Sequence, residues 1–69
     1  MSEPSVIGQR IKSLREAMGL SRDNFCKLVG ITPSAASMYE NGQRVPRDEI
    51  KVKIARALNT SIEALFFTE

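Results

Sequence analysis

Arginine, rather than any acid–base or nucleophilic group, is the side chain with the most evident chemical use in this sequence. The 69 residues include no histidine and one cysteine, Cys26. The chain therefore lacks the side chain that most often moves protons near neutral pH, and it can form neither an internal disulfide nor the common zinc sites. No nucleophile–base pair or carboxylate pair is evident. We expect no catalytic site, metal, cofactor or small-molecule substrate.

The basic residues exceed the acidic ones by a small margin, ten Lys and Arg against eight Asp and Glu. The excess lies in residues 1–45, because residues 46–69 hold four of each sign. Such a balance permits an anionic partner without requiring one. Arg22 stands at a predicted helix start, where free backbone amides favour an anion and a guanidinium can add two parallel hydrogen bonds to a phosphate.

A chain of this length predicts a single domain over residues 1–69. Its composition, 42% hydrophobic and 26% charged, is ordinary for a folded protein. No apolar run approaches the ~20 residues of a membrane span, and the first residues lack the pattern of a signal peptide. We expect a cytoplasmic protein without a membrane partner, stabilised by packed helices.

Five helices and no strand are predicted from apolar spacing and from helix start and stop signals. One apolar stripe of helical spacing is formed by Ile7, Ile11, Leu14 and Met18, and Gly19 follows as a helix stop. Serine or threonine caps precede three of the later helices. The predicted helices are residues 5–18, 22–29, 33–40, 47–58 and a short final helix that Ser61 caps.

The second and third predicted helices are joined by only three residues, Gly30 to Thr32. Glycine permits a sharp turn, and Thr32 followed by Pro33 is a strong start signal because the hydroxyl caps free amides while proline needs no amide partner. This spacing is typical of a helix-turn-helix.

The residues in and around this motif resemble the lambda repressor and Cro helix-turn-helix family, including the bacterial Xre-type regulators. The similarity covers about residues 7–66 and includes Arg15, Tyr39-Glu40-Asn41-Gly42, Pro46 and Ala55-Arg56-Ala57-Leu58. It implies an all-α, compact five-helix bundle in which helix three lies in the DNA major groove and helix two crosses the backbone.

The resemblance also assigns roles by position. The positions that face DNA bases in relatives are Thr32, Pro33, Ser34, Ser37 and Met38. The positions that contact the DNA backbone are Ser21, Arg22, Asn41, Gln43, Arg44 and Arg47. In the loop after helix three, both backbone amides and side chains are expected to hold phosphates, and Arg47 can approach the minor groove.

Three departures from the family pattern bear on function. Pro33 replaces a common glutamine and offers no hydrogen-bond donor, and Ala35 and Ala36 offer only methyl groups. Without an Arg, Asn or Gln to make bidentate base contacts, we expect modest specificity per half-site, aided by DNA shape and dimerisation. Ala64 stands where relatives often carry a bulky aromatic residue, and one of the two phenylalanines that follow is expected to fill that space.

Several residues have structural interpretations beside the functional ones. Arg15 and Glu40 are expected to form the family's buried salt bridge. Cys26 is expected to be a small core residue. Tyr39 is also expected in the core, and its hydroxyl could alternatively contact a phosphate. Adjacent phenylalanines cannot both face inward on one short helix, so one is expected in the bundle and the other at a dimer contact. The dimer candidates are Ile62, Phe66 and Phe67.

Together these patterns predict a sequence-specific DNA-binding regulator, repressor-like or Cro-like, that binds a near-palindromic site on double-stranded DNA as a homodimer. The alternative is a protein-interaction module on the same fold, such as an antitoxin or an adaptor. The alternative is favoured slightly by four apolar residues of the third helix, Pro33, Ala35, Ala36 and Met38. It is opposed by Arg22, Arg44 and Arg47.

Overall fold

The computed structural model describes residues 1–68, and helices with short connections make up this part of the chain. Their bounds are Pro4–Ala17 (α1), Arg22–Val29 (α2), Pro33–Glu40 (α3), Asp48–Ala57 (α4) and Glu63–Phe67 (α5), the last being a π-helical turn. The first four differ from the predicted bounds by at most one residue at each end. Since no strand occurs in residues 1–68, the all-α prediction is confirmed.

Side-chain caps begin three of the helices, as their sequences predict. The hydroxyls of Ser21, Thr32 and Ser61 accept hydrogen bonds from backbone amides three residues later, at 3.0–3.1 Å. Gly30 ends α2 in the left-handed conformation, with φ 79°. Each cap is worth about 1 kcal/mol, and together with the glycine they fix where α2 stops and α3 starts.

All five helices contribute to one apolar core. α1 packs against α3 and α5, and α2 packs against α3 and α4. The largest fully buried side chains are Phe25, Phe66, Ile7, Ile11, Ile54, Leu65 and Val29. Cys26 and Tyr39 are also buried, which confirms their predicted places in the core.

Two glycines allow α1 to lie directly against the end of α3. A Cβ atom on Gly8 would come within 2.6 Å of the Tyr39 carbonyl oxygen and closer still to that of Glu40. On Gly42, which has φ 77°, a Cβ would lie 2.9 Å from the Cα of Ser5. Because these neighbours are backbone atoms, only glycine fits, and the C-terminal end of α3 is held in place by α1.

The N-terminal segment and α1 hold the last helical turn. The amide of Ser2 donates to the Phe66 carbonyl at 2.8 Å, and its hydroxyl donates to the Thr68 carbonyl at 2.7 Å. Arg10 Nη1 donates to the Leu65 carbonyl at 3.1 Å and to the Ser2 hydroxyl at 3.0 Å. These bonds satisfy carbonyl groups at the end of α5, which a helix of five residues cannot satisfy internally.

The two phenylalanines of α5 have different surroundings. Phe66 is fully buried, so its assignment as a dimer candidate was wrong: its ring lies within the core and cannot reach a second chain. Phe67 is half exposed, with Lys51 Nζ 5.4 Å from its ring centre, and Ile62 is partly buried. One phenylalanine is therefore inside and one outside, as predicted.

The space beside Ala64 is a groove of about 550 Å³ between α1 and α5. Val6, Leu14 and Leu65 are among the residues that line it, but neither phenylalanine does. The expectation that Phe66 or Phe67 fills this space was wrong, because Phe66 points into the core and Phe67 lies beside Lys51.

Candidate nucleic-acid interface

The turn between α2 and α3 leaves the first residues of α3 accessible. Thr32, Pro33 and Ser34 are exposed, whereas Ser37 and Met38 are partly buried one turn further along. The Thr32 hydroxyl accepts the Ala35 amide at 3.1 Å, so its own hydrogen remains available to donate. All five predicted base-contacting residues thus reach the surface to some degree, with the first three projecting furthest.

The loop between α3 and α4 carries four of the predicted backbone-contacting side chains: Asn41, Gln43, Arg44 and Arg47. All four are exposed. Neither arginine forms an ion pair with any residue in 1–68, so each presents its full charge to solvent. The Asn41 side-chain amide donates to the Ser37 hydroxyl at 3.4 Å, a long contact that a stronger acceptor can replace.

The backbone amides at the start of this loop are used within the protein. Both Gln43 and Arg44 donate their amides to the Met38 carbonyl, at 2.9 and 3.3 Å, which folds the loop against the end of α3. The expectation that these amides hold phosphates was therefore wrong. A backbone acceptor already occupies them, and only the side chains at these two positions are free to contact DNA.

Glu40 lies between two arginines at the centre of the motif. Arg15 Nε donates to Glu40 Oε2 at 2.7 Å and Arg15 Nη2 donates to Oε1 at 3.3 Å, a bidentate pair in which both side chains are buried. The hydrogen bond to Glu40 raises the pKa of Arg15 above its usual value, and burial opposes this shift. The predicted salt bridge is present, and Arg15 Nη1 also donates to the Leu20 carbonyl at 2.8 Å.

Arg22 is the second cation on the same carboxylate. Its Nη2 lies 3.5 Å from Glu40 Oε1, while 46% of the Arg22 side chain remains exposed. The guanidinium has five N–H donors, and most of them are therefore directed to solvent at the start of α2. This contact could not be predicted from the sequence, because the start of α2 and the end of α3 meet only after the helices have packed.

Electrostatics also explains why two arginines share the Glu40 carboxylate. Glu40 is the last residue of α3, where an acidic side chain is unfavourable because the helix C-terminus carries partial negative charge. Two arginines at this position offset both the carboxylate and the helix end. The cluster of Arg15, Glu40 and Arg22 thus has an excess of one positive charge, and Arg22 carries it toward solvent.

A cleft of about 600 Å³ lies between α3 and the loop that follows it. The cleft has both apolar and basic lining residues: Gly30, Ile31, Thr32, Ala35, Tyr39, Arg44, Val45, Arg47 and Ile50. The cleft therefore adjoins both the exposed start of α3 and the two unpaired arginines.

Comparison with known proteins agrees with this arrangement. A family model described as helix-turn-helix matches residues 11–65, most of the chain. The chain belongs to the lambda repressor-like, Xre-type helix-turn-helix family. This helix-turn-helix protein is 33% identical over 63 residues to YazB of Bacillus subtilis, an uncharacterised HTH-type transcriptional regulator, and the match covers 91% of each chain. It is also 38% identical over 56 residues to the antitoxin PezA of Streptococcus pneumoniae, covering 81% of this chain and 35% of PezA.

Solved structures of helix-turn-helix proteins share the fold. The restriction-modification controller protein C.AhdI of Aeromonas hydrophila superposes with a TM-score of 0.87 at 33% identity, covering 96% of this chain and all of that one. The P22 c2 repressor, solved with a synthetic operator, gives 0.88 at 25% identity over 93% and 97% of the two chains. The family and its members identify a DNA-binding transcriptional regulator rather than an enzyme.

Among residues 1–68, no helix is both long and apolar enough to cross a bilayer. The same residues contain no group of three or more Cys, Asp and Glu placed to hold a metal ion.

Burial raises the pKa of the Cys26 thiol above its usual value of 9.0, which makes the reactive thiolate scarcer.

Proposed function

We propose that this protein regulates transcription by occupying a near-palindromic operator as a homodimer, with α3 in the major groove. The observation that carries the proposal is the placement of charge around α3. Arg22 contacts Glu40 at the C-terminal end of α3, and Arg44 and Arg47 follow in the loop. The residues at the start of α3, 32–34, are exposed. Residues 1–69 would act as one DNA-binding domain, in the compartment that holds the DNA, which in a bacterium is the cytoplasm.

Base recognition would rest on hydroxyl groups and a thioether. Thr32, Ser34 and Ser37 can each donate or accept a hydrogen bond, so they discriminate less sharply between bases than the bidentate Arg, Asn or Gln contacts do. Met38 adds an apolar surface that suits a thymine methyl group. Much of the specificity would therefore come from DNA shape and from the spacing of two half-sites.

Backbone contacts would come from side chains. Arg22 can donate two parallel hydrogen bonds to a phosphate beyond the start of α2, where Ser21 is also exposed. In the loop, Asn41, Gln43, Arg44 and Arg47 supply the remaining donors. Sharing of Glu40 holds the Arg22 guanidinium near one position, which lowers the entropy lost when it binds a phosphate.

Dimerisation would use the exposed part of α5. Phe67 is half exposed on this turn and Ile62 is partly buried beside it, so both offer apolar area to a second chain. Two copies related by a twofold axis would place their α3 helices about 34 Å apart, in successive major grooves on one side of the duplex.

The test begins with selection of bound sequences from a random DNA pool. We expect enrichment of a near-palindromic site whose half-sites lie about one helical turn apart. Binding to that site is then measured for the Arg22→Ala, Arg44→Ala double variant. The matched control is Lys53→Ala, Arg56→Ala, which removes the same charge from exposed positions of α4. Loss of binding only in the first variant, with both folded, supports the proposal; equal binding by both variants contradicts it.

A second function is favoured by the similarity to the antitoxin PezA, which covers only 35% of that protein. On this alternative the chain would bind another protein through α3, whose exposed Pro33 and partly buried Met38 are unusually apolar for a DNA-contacting helix. It predicts that no sequence is enriched from the DNA pool, and that the arginine variants bind DNA as weakly as the wild type does.

A further inference from the structure

Tyr39 has a buried ring and a hydroxyl group without a partner. The residue is 6% exposed, yet no hydrogen bond to its hydroxyl occurs within residues 1–68. No fully enclosed side-chain oxygen lacks a partner in this part of the chain, so the hydroxyl reaches solvent. Tyrosine hydroxyls on buried rings are usually hydrogen-bonded to protein, whereas this one reaches solvent and is available to donate to a ligand.

The residues that line the cleft around Tyr39 indicate the kind of ligand that it can bind. Arg44 and Arg47 also line it, and no carboxylate of residues 1–68 does. The remaining lining includes the apolar residues Ile31, Ala35 and Ile50. Two free cations, a hydroxyl donor and an apolar surface together match the chemistry of a phosphodiester and its adjoining deoxyribose.

We propose that this cleft binds one phosphate of the DNA backbone, with the Tyr39 hydroxyl donating to a phosphate oxygen and Arg44 and Arg47 on either side. The proposal rests on the proposed function, since it adds a contact to the same DNA complex. It assigns a role in DNA binding to a residue whose ring is otherwise part of the core.

The Tyr39 contact differs physically from the arginine contacts. Core packing already fixes the tyrosine ring, so its hydroxyl loses little conformational freedom on binding, whereas the exposed Arg44 and Arg47 side chains lose much more. The hydroxyl is also neutral and displaces no counterions. It would therefore set the position of the backbone relative to α3, while the arginines supply the salt-dependent attraction.

The test is the Tyr39→Phe variant, which removes one oxygen atom and keeps the buried ring. We expect a Kd for the selected DNA about tenfold higher per half-site, equivalent to about 1.4 kcal/mol, with Tm unchanged. The salt dependence of binding should stay the same, whereas Arg44→Ala, which removes one phosphate contact in each half-site, should reduce the magnitude of the slope by about two. Ser13→Ala, which removes a hydroxyl from the exposed face of α1, is the matched control and should bind as the wild type does.

A direct readout is possible because Tyr39 is the only tyrosine in the chain. In protein labelled with ¹³Cζ-tyrosine, a single resonance should shift on addition of the selected DNA and stay in place with millimolar inorganic phosphate. Saturation by inorganic phosphate alone would overturn the assignment to DNA in favour of a free oxyanion site. Unchanged DNA affinity of Tyr39→Phe, in a protein whose Arg22→Ala, Arg44→Ala variant has lost binding, would overturn this proposal and leave the proposed function standing.

Discussion

Replacing Glu40 by glutamine should destabilise this protein far more than removing either exposed charge near it. The Glu40 side chain is 2% exposed and its main partner, Arg15, is 8% exposed. The substitution keeps one amide oxygen that can accept a hydrogen bond from Arg15 but removes the negative charge, so the Arg15 guanidinium stays buried with only neutral acceptors, that oxygen and the Leu20 carbonyl. Glu16, the other carboxylate nearby, lies 4.0 Å away and is exposed, so it compensates poorly.

An uncompensated buried charge of this kind costs about 3–5 kcal/mol. A chain of 69 residues has roughly 4–10 kcal/mol of total stability, so Glu40→Gln should lose a large part of it. The corresponding fall in Tm is at least about 12 °C for a domain of this size. Arg22→Ala removes a cation that is 46% exposed at 3.5 Å, and exposed pairs contribute only about 0.2–1 kcal/mol.

Urea unfolding followed by circular dichroism measures both losses. An Arg15→Met, Glu40→Leu double variant serves as the control, because replacing both partners by apolar groups leaves no buried charge and should restore most of the stability. If Glu40→Gln unfolds within about 1 kcal/mol of the wild type, or if Arg22→Ala is equally destabilising, the buried pair is not what holds the end of α3.

Two other positions give sharp expectations. Gly8→Ala should lower the free energy of unfolding by about 2 kcal/mol or more, because the new Cβ meets backbone carbonyls of α3. Gly19→Ala should lower it by only about 1 kcal/mol, because Gly19 has φ 71° but no atom of residues 1–68 within 4 Å of the added Cβ. Equal losses in urea unfolding would refute the clash at Gly8. Cys26 has its pKa raised by burial, so the unfolded chain releases the thiol proton first and stability should fall as the pH rises above 9.0. This decline should be smaller in Cys26→Ala, and identical slopes between pH 8 and 10 would show that the thiol does not contribute.

The helices could be predicted from the sequence because their boundaries are set locally. Thr32 and Pro33 fix the start of α3 through a hydrogen bond and a backbone angle that involve only neighbouring residues. Gly30 ends α2 by the same kind of local rule. The π-helical turn of α5 could not be predicted in this way, because its carbonyls are held by Arg10 and Ser2 from the other end of the chain.

The candidate site was predictable in its residues but not in all its contacts. The exposed start of α3 follows from the motif spacing, whereas the second cation on Glu40 depends on how α2 packs against α3. The same holds for the amides of Gln43 and Arg44, which tertiary folding directs to the Met38 carbonyl. Adjacent residues on a short helix cannot both face the core, so one phenylalanine of α5 is expected inside. Only the packing of the helices decides which one it is.

The salt dependence of binding to the selected DNA site tests most directly whether arginine side chains around α3 contact phosphates of the DNA backbone. With about six phosphate contacts per dimer, the logarithm of the affinity should fall with the logarithm of salt concentration at a slope near −5. Affinity should then drop about 10³-fold between 50 and 200 mM salt. An affinity that stays constant across this range would contradict the proposed DNA contacts.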